Sequence, residues 1–401
     1  MTISGQVGTY NKNLILAITA IFGLLLFMFS IDFLTYSLAK FNGEVANEIF
    51  RSTVNPFVGL FIGLLMTALI QSSSTVSAMI VAVVASGNIT LNQAVPLILG
   101  ANIGTTLTST LVAFGYIMKK RAFRKALSAG VVHDFFNIIS VIILLPLEVY
   151  FGLLSHAAQF LTQILFMDNN ASDDGFGFQG SFFREGSRIL SQWLVWPLLS
   201  LVIGIFFLIG SIKILSLLAF KSIITPKFKK ISKHIFNFPF RAFGYGLFFT
   251  AAVQSSTITT SLMVTAVATG KVALKKVFPF IIGANIGTTV TASIAALYKT
   301  EAAISVAIVH LLFNLFGAMV FLPFPSIRQI PVRLAKNFGK ETVKTKVVGF
   351  AYILLTFFII PFFLIYFNQS DSSVKSQKEP VKKEEFNKPS WLFPLKIPPE
   401  K

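Results

Sequence analysis

The chain has 401 residues, of which 54% are hydrophobic and 12% are charged, and its formal net charge is +18. Because about a quarter of the residues of a soluble domain are charged, this composition excludes a soluble protein and predicts an all-α polytopic membrane protein surrounded by lipid. The basic residues fall in short stretches between apolar runs, as the positive-inside rule describes, and no nucleic-acid-binding motif accompanies them. We therefore expect no nucleic-acid partner.

The apolar runs predict spanning helices in chain order, interrupted twice by a pair of half-length helices. Full spans are predicted for residues 14–38, 91–118, 126–147, 192–218, 272–297, 301–322 and 347–367. Residues 56–70 and 76–85 are each shorter than the roughly 20 residues that a crossing needs, and they meet at a polar cluster. The same arrangement returns at residues 243–253 and 258–269. Two such segments meeting at a polar tip are typical of a re-entrant hairpin.

Charge and composition divide the chain further. The predicted parts are an N-terminal segment with the first span (1–40), a first repeat (57–148), an external segment (149–188), a linking span with a basic loop (189–242), a second repeat (243–323), a cytoplasmic loop with the last span (324–367) and a disordered polar tail (368–401). The basic stretches 119–125, 221–241 and 328–346 are predicted to be cytoplasmic loops, and the acidic stretch 168–188 to lie outside. The N-terminus is then cytoplasmic, the C-terminus is outside, and the protein lies in the cell membrane.

Two parts of the chain repeat each other at a nearly constant interval. The same interval separates Gln71 from Gln254 and Gly87 from Gly270. After a short deletion, a slightly shorter interval separates His133 from His310. An interval kept over many positions predicts an internal duplication. With the predicted orientation, the first hairpin enters from outside and the second from the cytoplasm, so the repeats are inverted. Broken helices in inverted repeats are typical of the substrate site of a secondary transporter.

Each repeat carries the sequence Gly-Ala-Asn-Ile-Gly-Thr-Thr inside a predicted spanning helix, at residues 100–106 and 283–289. Glycine weakens a helix, and Thr105 or Thr106 is suited to cap a restart. Both helices are therefore predicted to be broken at this sequence. The alternative is that the glycines produce a kink or close helix packing.

The two hairpin tips are predicted to bind an oxyanion. A half-helix that begins at a tip presents free backbone N–H groups and the positive end of its dipole, and nearby hydroxyls add further donors. For one isolated serine, helix packing would be the better explanation, but a duplicated polar cluster favours binding. The candidate anion ligands are Gln71, Ser72, Ser73, Ser74, Thr75, Gln254, Ser255, Ser256 and Thr257.

The amide and hydroxyl oxygens of the repeated sequence suit a hard cation such as sodium, and in the first copy these belong to Asn102 and Thr105. A cation would supply the charge that neutral donors cannot give to a buried anion. Asp134 is the only acid in its span and its counterpart is Leu311, so a carboxylate ligand is predicted in one repeat only. The alternatives are that Asp134 pairs with His133 or lies at a helix end.

These motifs resemble those of the type II sodium–phosphate cotransporters. The resemblance extends over residues 57–367 and rests on the paired Gln-Ser-Ser clusters, the two Gly-Ala-Asn-Ile-Gly-Thr motifs and residues 123–148 and 330–336. It implies inverted repeats, sodium-driven import of inorganic phosphate, phosphate held by the Gln-Ser-Ser clusters, and no cofactor besides co-transported sodium. The sodium ligands that it implies are Asn137, Asn285, Thr288 and Thr291.

In this family an aspartate at the position of Asp134 is typical of electrogenic members, so electrogenic transport is expected. The absence of cysteine and the short segment 149–188 suggest a bacterial member. The residues leave two alternatives open: a carrier of another oxyanion such as sulfate or arsenate, and an intramembrane serine hydrolase that uses His133 or His310. They predict nothing about the oligomeric state.

Overall fold

A computed structural model describes residues 3–40, 50–166, 183–194, 196–220, 235–297 and 299–375, and these residues form helices and no β-strand. The helices are α1 (Ile3–Ala39), α2 (Pro56–Ile70), α3 (Ser73–Ala85), α4 (Leu91–Gly104), α5 (Leu107–Phe114), α6 (Lys120–Phe151), α7 (Leu153–Phe166), α8 (Arg184–Trp193), α9 (Pro197–Ala219), α10 (Pro239–Val253), α11 (Ser256–Ala268), α12 (Leu274–Ala296), α13 (Glu301–Phe321), α14 (Pro325–Lys344), α15 (Lys346–Leu354) and α16 (Ile360–Lys375). A π-helical turn, Leu355–Ile359, joins α15 to α16.

Seven helical segments of the described chain are long and apolar enough to cross a membrane, which confirms the predicted all-α polytopic fold. These segments are α1, α4 with α5, α6, α9, α12, α13, and α15 with α16. By contrast, α2 has 15 residues and α3 has 13, so neither reaches across a bilayer core by itself.

The helix starts follow from local sequence. Helices α2, α9, α10 and α14 each begin with proline, whose fixed φ suits the first helical turn and whose missing N–H is not needed there. Helix α4 begins with a capping box, in which Thr90 Oγ1 accepts from the Gln93 N–H and Gln93 Oε1 accepts from the Thr90 N–H. These signals place the helix boundaries that hold the polar tips.

The helix bounds follow the duplication seen in the sequence. Adding the interval between Gln71 and Gln254 to the bounds of α2 and α3 gives the bounds of α10 and α11. Adding the same interval to the first residue of α4 gives the first residue of α12. Between the short helices of each pair, Gln71 (φ 58°) and Gln254 (φ 56°) are the two non-glycine residues with positive φ in the described chain. The chain therefore turns in the same way at both polar clusters.

The second of the two predicted helix breaks is wrong. In the first copy, α4 ends at Gly104 and α5 begins at Leu107, but α12 runs without interruption through Gly283 and Gly287. The glycines serve close packing instead. A Cβ on Gly283 would lie 2.0 Å from the Phe243 carbonyl oxygen of α10, which leaves room only for hydrogen.

The predicted capping of the restarted helix is also wrong. Thr106 precedes α5 without a side-chain cap, and its hydroxyl donates to the Ile103 carbonyl. The Thr105 hydroxyl donates to the Ala101 carbonyl of the preceding turn. Both threonines therefore complete the end of α4 rather than the start of α5.

Two of the predicted basic loops are helical. Residues 120–125 form the first turns of α6, and residues 328–344 lie in α14, which buries Val332 and Ala335 and exposes four of its five basic residues. Positive charge predicts the side of the membrane rather than the backbone conformation, so the prediction of loops failed. Residues 167–182, 221–234 and 376–401, which include most of the predicted acidic stretch, basic loop and tail, lie outside the described residues; residues 368–375 continue α16.

A buried ion pair ties the first span to the core. Asp32 on α1 pairs with Lys299, which precedes α13, and its second oxygen accepts from the Phe183 N–H at 3.2 Å. Burial lowers the pKa of Lys299, and the charge of Asp32 opposes that shift. The pair fixes three distant segments to one another.

Candidate functional site

The two hairpin tips have the same local construction. Ser72 is the N-cap of α3, and its hydroxyl accepts from the Thr75 N–H at 3.3 Å. Ser255 is the N-cap of α11, and its hydroxyl accepts from the Ile258 N–H at 3.4 Å. Each tip therefore presents the N-terminal end of a short helix, with its positive dipole end and its remaining N–H groups.

The structure brings the two tips together. The Ser74 hydroxyl of the first tip donates to the Gln254 carbonyl of the second tip at 2.9 Å. Behind the tips, Ser109 and Thr260 join α5 to α11 through a 2.8 Å hydroxyl–hydroxyl bond. Two clusters that are distant in sequence thus form one polar centre.

The predicted anion ligands differ in how free they are. Ser73, Ser74, Thr75 and Ser256 are buried, whereas Gln71 is exposed and Ser72, Gln254, Ser255 and Thr257 are half-buried. The hydroxyls of Ser72, Ser74 and Thr75 are already engaged within or between the tips. Gln254 Oε1 is buried and has no hydrogen-bond partner among the described residues. An unpartnered polar atom at the junction of two helix starts is suited to meet a ligand.

Four buried asparagines, on helices that pack against α3 or α11, link the two repeats. Asn285 Nδ2 donates to Asn137 Oδ1 at 2.8 Å, and Asn314 Nδ2 donates to Asn102 Oδ1 at 3.2 Å. Each bond joins a residue of one repeat to a residue of the other, and the duplication relates one bond to the other. His133 Nε2 adds a hydrogen bond to Asn285 Oδ1. Amide oxygens held in this way suit a hard cation.

The duplication is broken at the histidines. His310, the counterpart of His133, is fully buried, and neither of its ring nitrogens has a partner among the described residues. Asn314 Oδ1, one turn further along α13, is also unpartnered there. The two halves of the network are therefore equivalent in sequence but not in bonding.

The predicted threonine ligands also differ in their hydrogen bonds. The hydroxyls of Thr105 and Thr288 donate to carbonyls of their own helices, those of Ala101 and Asn285. Thr291 Oγ1 is buried and has no partner among the described residues. A hydroxyl that donates its hydrogen keeps its oxygen lone pairs, so all three threonines can offer an oxygen to a cation.

Asp134 is a fully buried carboxylate on α6. Its Oδ2 accepts from the Tyr352 hydroxyl at 2.8 Å and from the Thr110 hydroxyl at 3.4 Å, while Oδ1 has no hydrogen-bond partner among the described residues. It forms no ion pair in the described chain, and His133 bonds Asn285 instead. The alternatives of pairing with His133 or lying at a helix end are therefore excluded. A carboxylate buried in this way needs a bound cation or a proton.

The sequence missed Tyr352 and Thr110, which hold Asp134, and Ser109 and Thr260, which join α5 to α11. Tyr352 comes from the last span, which no motif marks. Ser109 and Thr260 each lie about one turn beyond a recognised cluster, where single hydroxyls in a spanning helix are ordinary. Only the packing of the helices places these side chains at the centre.

Comparison with known proteins gives the family. Residues 26–162 and 206–360 match the family model described as Na+/Pi-cotransporter. The chain belongs to this family. Sodium-dependent phosphate transport protein 2A of Ovis aries is 31% identical over 418 residues, which cover 84% of this chain and 65% of that protein. The corresponding 2A protein of Rattus norvegicus is 30% identical over 89% of this chain and 68% of its own length.

The 2B protein of Homo sapiens is 28% identical over 84% of this chain and 62% of its own length. The chain thus spans about two thirds of the length of these curated relatives. No solved structure matches it.

Removing one asparagine of the network is expected to lower the stability of the folded protein. Asn285→Ala leaves His133 Nε2 and Asn137 Oδ1 buried without the partner that they now share. Since each buried unsatisfied group costs about 1–3 kcal/mol, we expect the thermal unfolding midpoint of the purified protein to fall by several degrees. Ser293→Ala on the same helix is the control, because Ser293 is exposed and its hydroxyl only donates to the Thr289 carbonyl. Equal midpoints for the two variants would contradict the network.

Proposed function

We propose that this chain imports inorganic phosphate together with sodium across the cell membrane. The observation that carries the proposal is the meeting of two N-capped helix starts at the Ser74–Gln254 contact. The helices that pack against these two carry a buried network of amides. The names of the relatives, sodium-dependent phosphate transport proteins, agree with this function. A purely structural role would leave the unpartnered Gln254 Oε1 and Asp134 Oδ1 unexplained.

Phosphate would bind between the two tips. The first-turn N–H groups of α3 and α11 and the tip hydroxyls offer donors to its oxygens, and two helix dipoles meet there with the same sign. None of the buried residues of these two helices is basic. Neutral donors recognise the anion, but they leave its charge uncompensated, so the anion binds well only when cations are bound nearby.

Sodium would supply that charge. Asp134 provides a carboxylate oxygen, and the amide oxygens of the asparagine network and Thr291 Oγ1 provide neutral ligands. These buried groups lie on α4, α6, α12 and α13, the helices packed around the tips. The proposed sodium ligands are Asn102, Thr105, Asp134, Asn137, Asn285, Thr288 and Thr291. Because sodium and phosphate each offset the burial cost of the other, transport of one requires the other.

Alternating access would use the duplication. Helix α3 of the first repeat packs against α12 and α13 of the second, and α11 of the second packs against α5 and α6 of the first. We propose that the two repeats are inverted, with the N-terminus cytoplasmic and the C-terminus outside, as the distribution of basic residues favours. Movement of one repeat against the other would then expose the shared tips to each side in turn.

Uptake into proteoliposomes tests the proposal. We expect radiolabelled phosphate to accumulate when an inward sodium gradient is imposed, and to stay at the level of empty liposomes when choline replaces sodium. The reason is that phosphate without sodium leaves an uncompensated charge in the centre. Valinomycin with equal potassium on both sides holds the potential at zero in both arms, so that only the sodium gradient differs. Uptake that is indifferent to sodium would overturn the proposal.

Two other functions give different results in the same system. Hydroxyl and N–H donors do not separate tetrahedral anions by themselves, so unlabelled sulfate and arsenate compete with labelled phosphate if the site accepts them. The serine hydrolase alternative has less support, because neither His133 nor His310 hydrogen-bonds a serine in the described chain. A fluorophosphonate that labelled one tip serine would favour the hydrolase.

A further inference from the structure

A cluster of basic side chains lies away from the central site. A cavity of about 470 Å³ lies between the first turns of α6 and α12, the second half of α14 and the end of α11. Five cationic side chains line it, and we call this cavity the basic pocket: Arg124, Lys125, Lys275, Lys336 and Lys340. It shares no residue with the tips, the asparagine network or Asp134.

Close helix packing builds the basic pocket. Gly339 on α14 lies so near α6 that an added Cβ would be 2.4 Å from Ser128 Oγ and 2.9 Å from the Arg124 carbonyl oxygen. Lys336 and Lys340 are one helical turn apart, so they lie on the same face of α14. This face lines the basic pocket together with Arg124 of α6. Helix α14 therefore carries its lysines to α6 because a glycine allows the approach.

The positive end of a helix adds to the charge of the side chains. Helix α12 begins at Leu274 in the wall of the basic pocket, and its N-cap, Ala273, supplies no side-chain acceptor. The first N–H groups of this 23-residue helix are left without a capping side chain. The dipole of α12 and the five cations thus favour an anion at the same place.

Nothing in the described chain neutralises the basic pocket. The ion pairs formed by described residues are Asp32–Lys299, Arg188–Glu185 and Lys344–Glu341, and none includes a side chain of this pocket. Lys344, on the same helix, pairs with Glu341 instead. Four of the five cationic residues are exposed and Lys125 is half-buried. Five like charges around one cavity repel one another, and a bound anion relieves that repulsion.

Exposed apolar side chains stand beside the cations of α14. Ile330 and Leu334 are 46% and 41% accessible, and Leu334 lies two residues before Lys336. Basic and exposed apolar residues thus alternate along this helix, a composition that suits the surface of a membrane. Phosphate groups of anionic lipids lie at this depth, and basic pockets between spanning helices bind them.

We propose that the basic pocket binds a phosphate group, carried either by the headgroup of an anionic phospholipid or by free phosphate. Several basic side chains around one cavity suit a compact dianion or a phosphodiester, whose oxygens accept from more than one cation. The apolar residues Val267, Val272 and Leu274, which also line the cavity, suit the start of the acyl chains of a lipid.

The test compares two charge-matched variants of the full-length protein. Lys336→Gln/Lys340→Gln removes two pocket charges. Arg333→Gln/Lys344→Gln removes two charges from the same helix outside the pocket, where Arg333 bonds Gln329 and Lys344 bonds Glu341. Native mass spectrometry measures retained phosphatidylglycerol, with phosphatidylcholine as the uncharged control lipid. Thermal unfolding in sodium-free potassium chloride measures stabilisation by inorganic phosphate at constant ionic strength. Both variants keep the central site, so their difference reports the basic pocket alone.

Each outcome decides the proposal. We expect the pocket variant to bind phosphatidylglycerol about ten- to thirty-fold more weakly than the control variant, with no change for phosphatidylcholine. If only the shift by inorganic phosphate is lost in the pocket variant, the pocket binds free phosphate. If the two variants retain lipid equally and respond equally to phosphate, the cations form an ordinary solvated surface and the proposal is wrong.

Discussion

Gly246→Ala is expected to prevent stable packing of α10 against α12, whereas Gly244→Ala, slightly earlier on the same helix, is expected to be tolerated. A Cβ on Gly246 would lie 2.0 Å from the Phe280 carbonyl oxygen, in a backbone contact that has no flexible side chain to yield. A Cβ on Gly244 would meet nothing within 4 Å. Overpacking of a core costs about 1–3 kcal/mol, and more where backbones collide. Alanine at Gly244 instead gains up to about 1 kcal/mol of helix propensity.

The measurement is the yield of monodisperse protein in detergent, the thermal unfolding midpoint, and sodium-driven uptake. Gly246→Ala should reduce the yield and lower the midpoint strongly, and Gly244→Ala should match the wild type in all three. The first repeat supplies an independent check, because a Cβ on Gly63 would lie 2.0 Å from the Leu97 carbonyl oxygen. Gly63→Ala should therefore reproduce the loss. A Gly246→Ala protein as stable as Gly244→Ala would show that α10 and α12 do not pack this closely.

The repeated glycine motif shows which features of the fold the sequence predicts and which it does not. The duplication and the polar tips were predicted because the constant interval between the repeated motifs is visible without any structure. The identical Gly-Ala-Asn-Ile-Gly-Thr-Thr sequences gave the same prediction for both copies, yet α4 ends within one copy and α12 continues through the other. The glycines admit a neighbouring backbone in both copies, that of Leu60 at Gly100 and that of Phe243 at Gly283, so they do not decide which helix breaks.

Packing beyond the motif favours the break in the first copy. Gly130 on α6 lies so near α5 that an added Cβ would be 3.0 Å from the Ser109 carbonyl oxygen and from the Thr110 Cα. Its counterpart in the second repeat, at the interval that relates His133 to His310, is Ala307, which carries a methyl group there. Helix α5 is thus drawn against α6 immediately after the break. This contact involves a residue outside the motif, so no local pattern reveals it.

The sequence points to the polar residues that the structure brings together more than to the residues that hold them in place. Ser74, Gln254 and Asn285 stand out because polar residues inside apolar runs are rare and these are duplicated. Tyr352 was missed because one tyrosine in a spanning helix is ordinary, and only the close approach of the last span brings its hydroxyl to Asp134. Asp134 itself was found because it lacks a counterpart, and its burial without a basic partner could be known only from the fold.

Asp134→Asn is expected to leave sodium-driven phosphate uptake measurable but to remove its dependence on membrane potential. This rests on the proposed function and on Asp134 as a cation ligand that one repeat alone possesses. The asparagine keeps the size and an oxygen for the Tyr352 hydroxyl, but it removes the charge that would balance a surplus sodium ion. One charge crossing 100 mV contributes about 2.3 kcal/mol, so the wild-type accumulation ratio should rise about fifty-fold with that potential. The variant should show no rise.

Proteoliposomes with potassium gradients and valinomycin set the potential, and uptake is read at several values with the sodium gradient fixed. Tyr352→Phe is the matched control, because it removes one donor to Asp134 while keeping the carboxylate. If the charge of Asp134 carries the effect, Tyr352→Phe remains voltage-dependent even where its uptake is slower. If the hydrogen bond from Tyr352 alone matters, Asp134→Asn, which keeps an acceptor oxygen, stays voltage-dependent and Tyr352→Phe loses its voltage dependence. Voltage dependence retained in Asp134→Asn would refute the role of this carboxylate as the balancing charge.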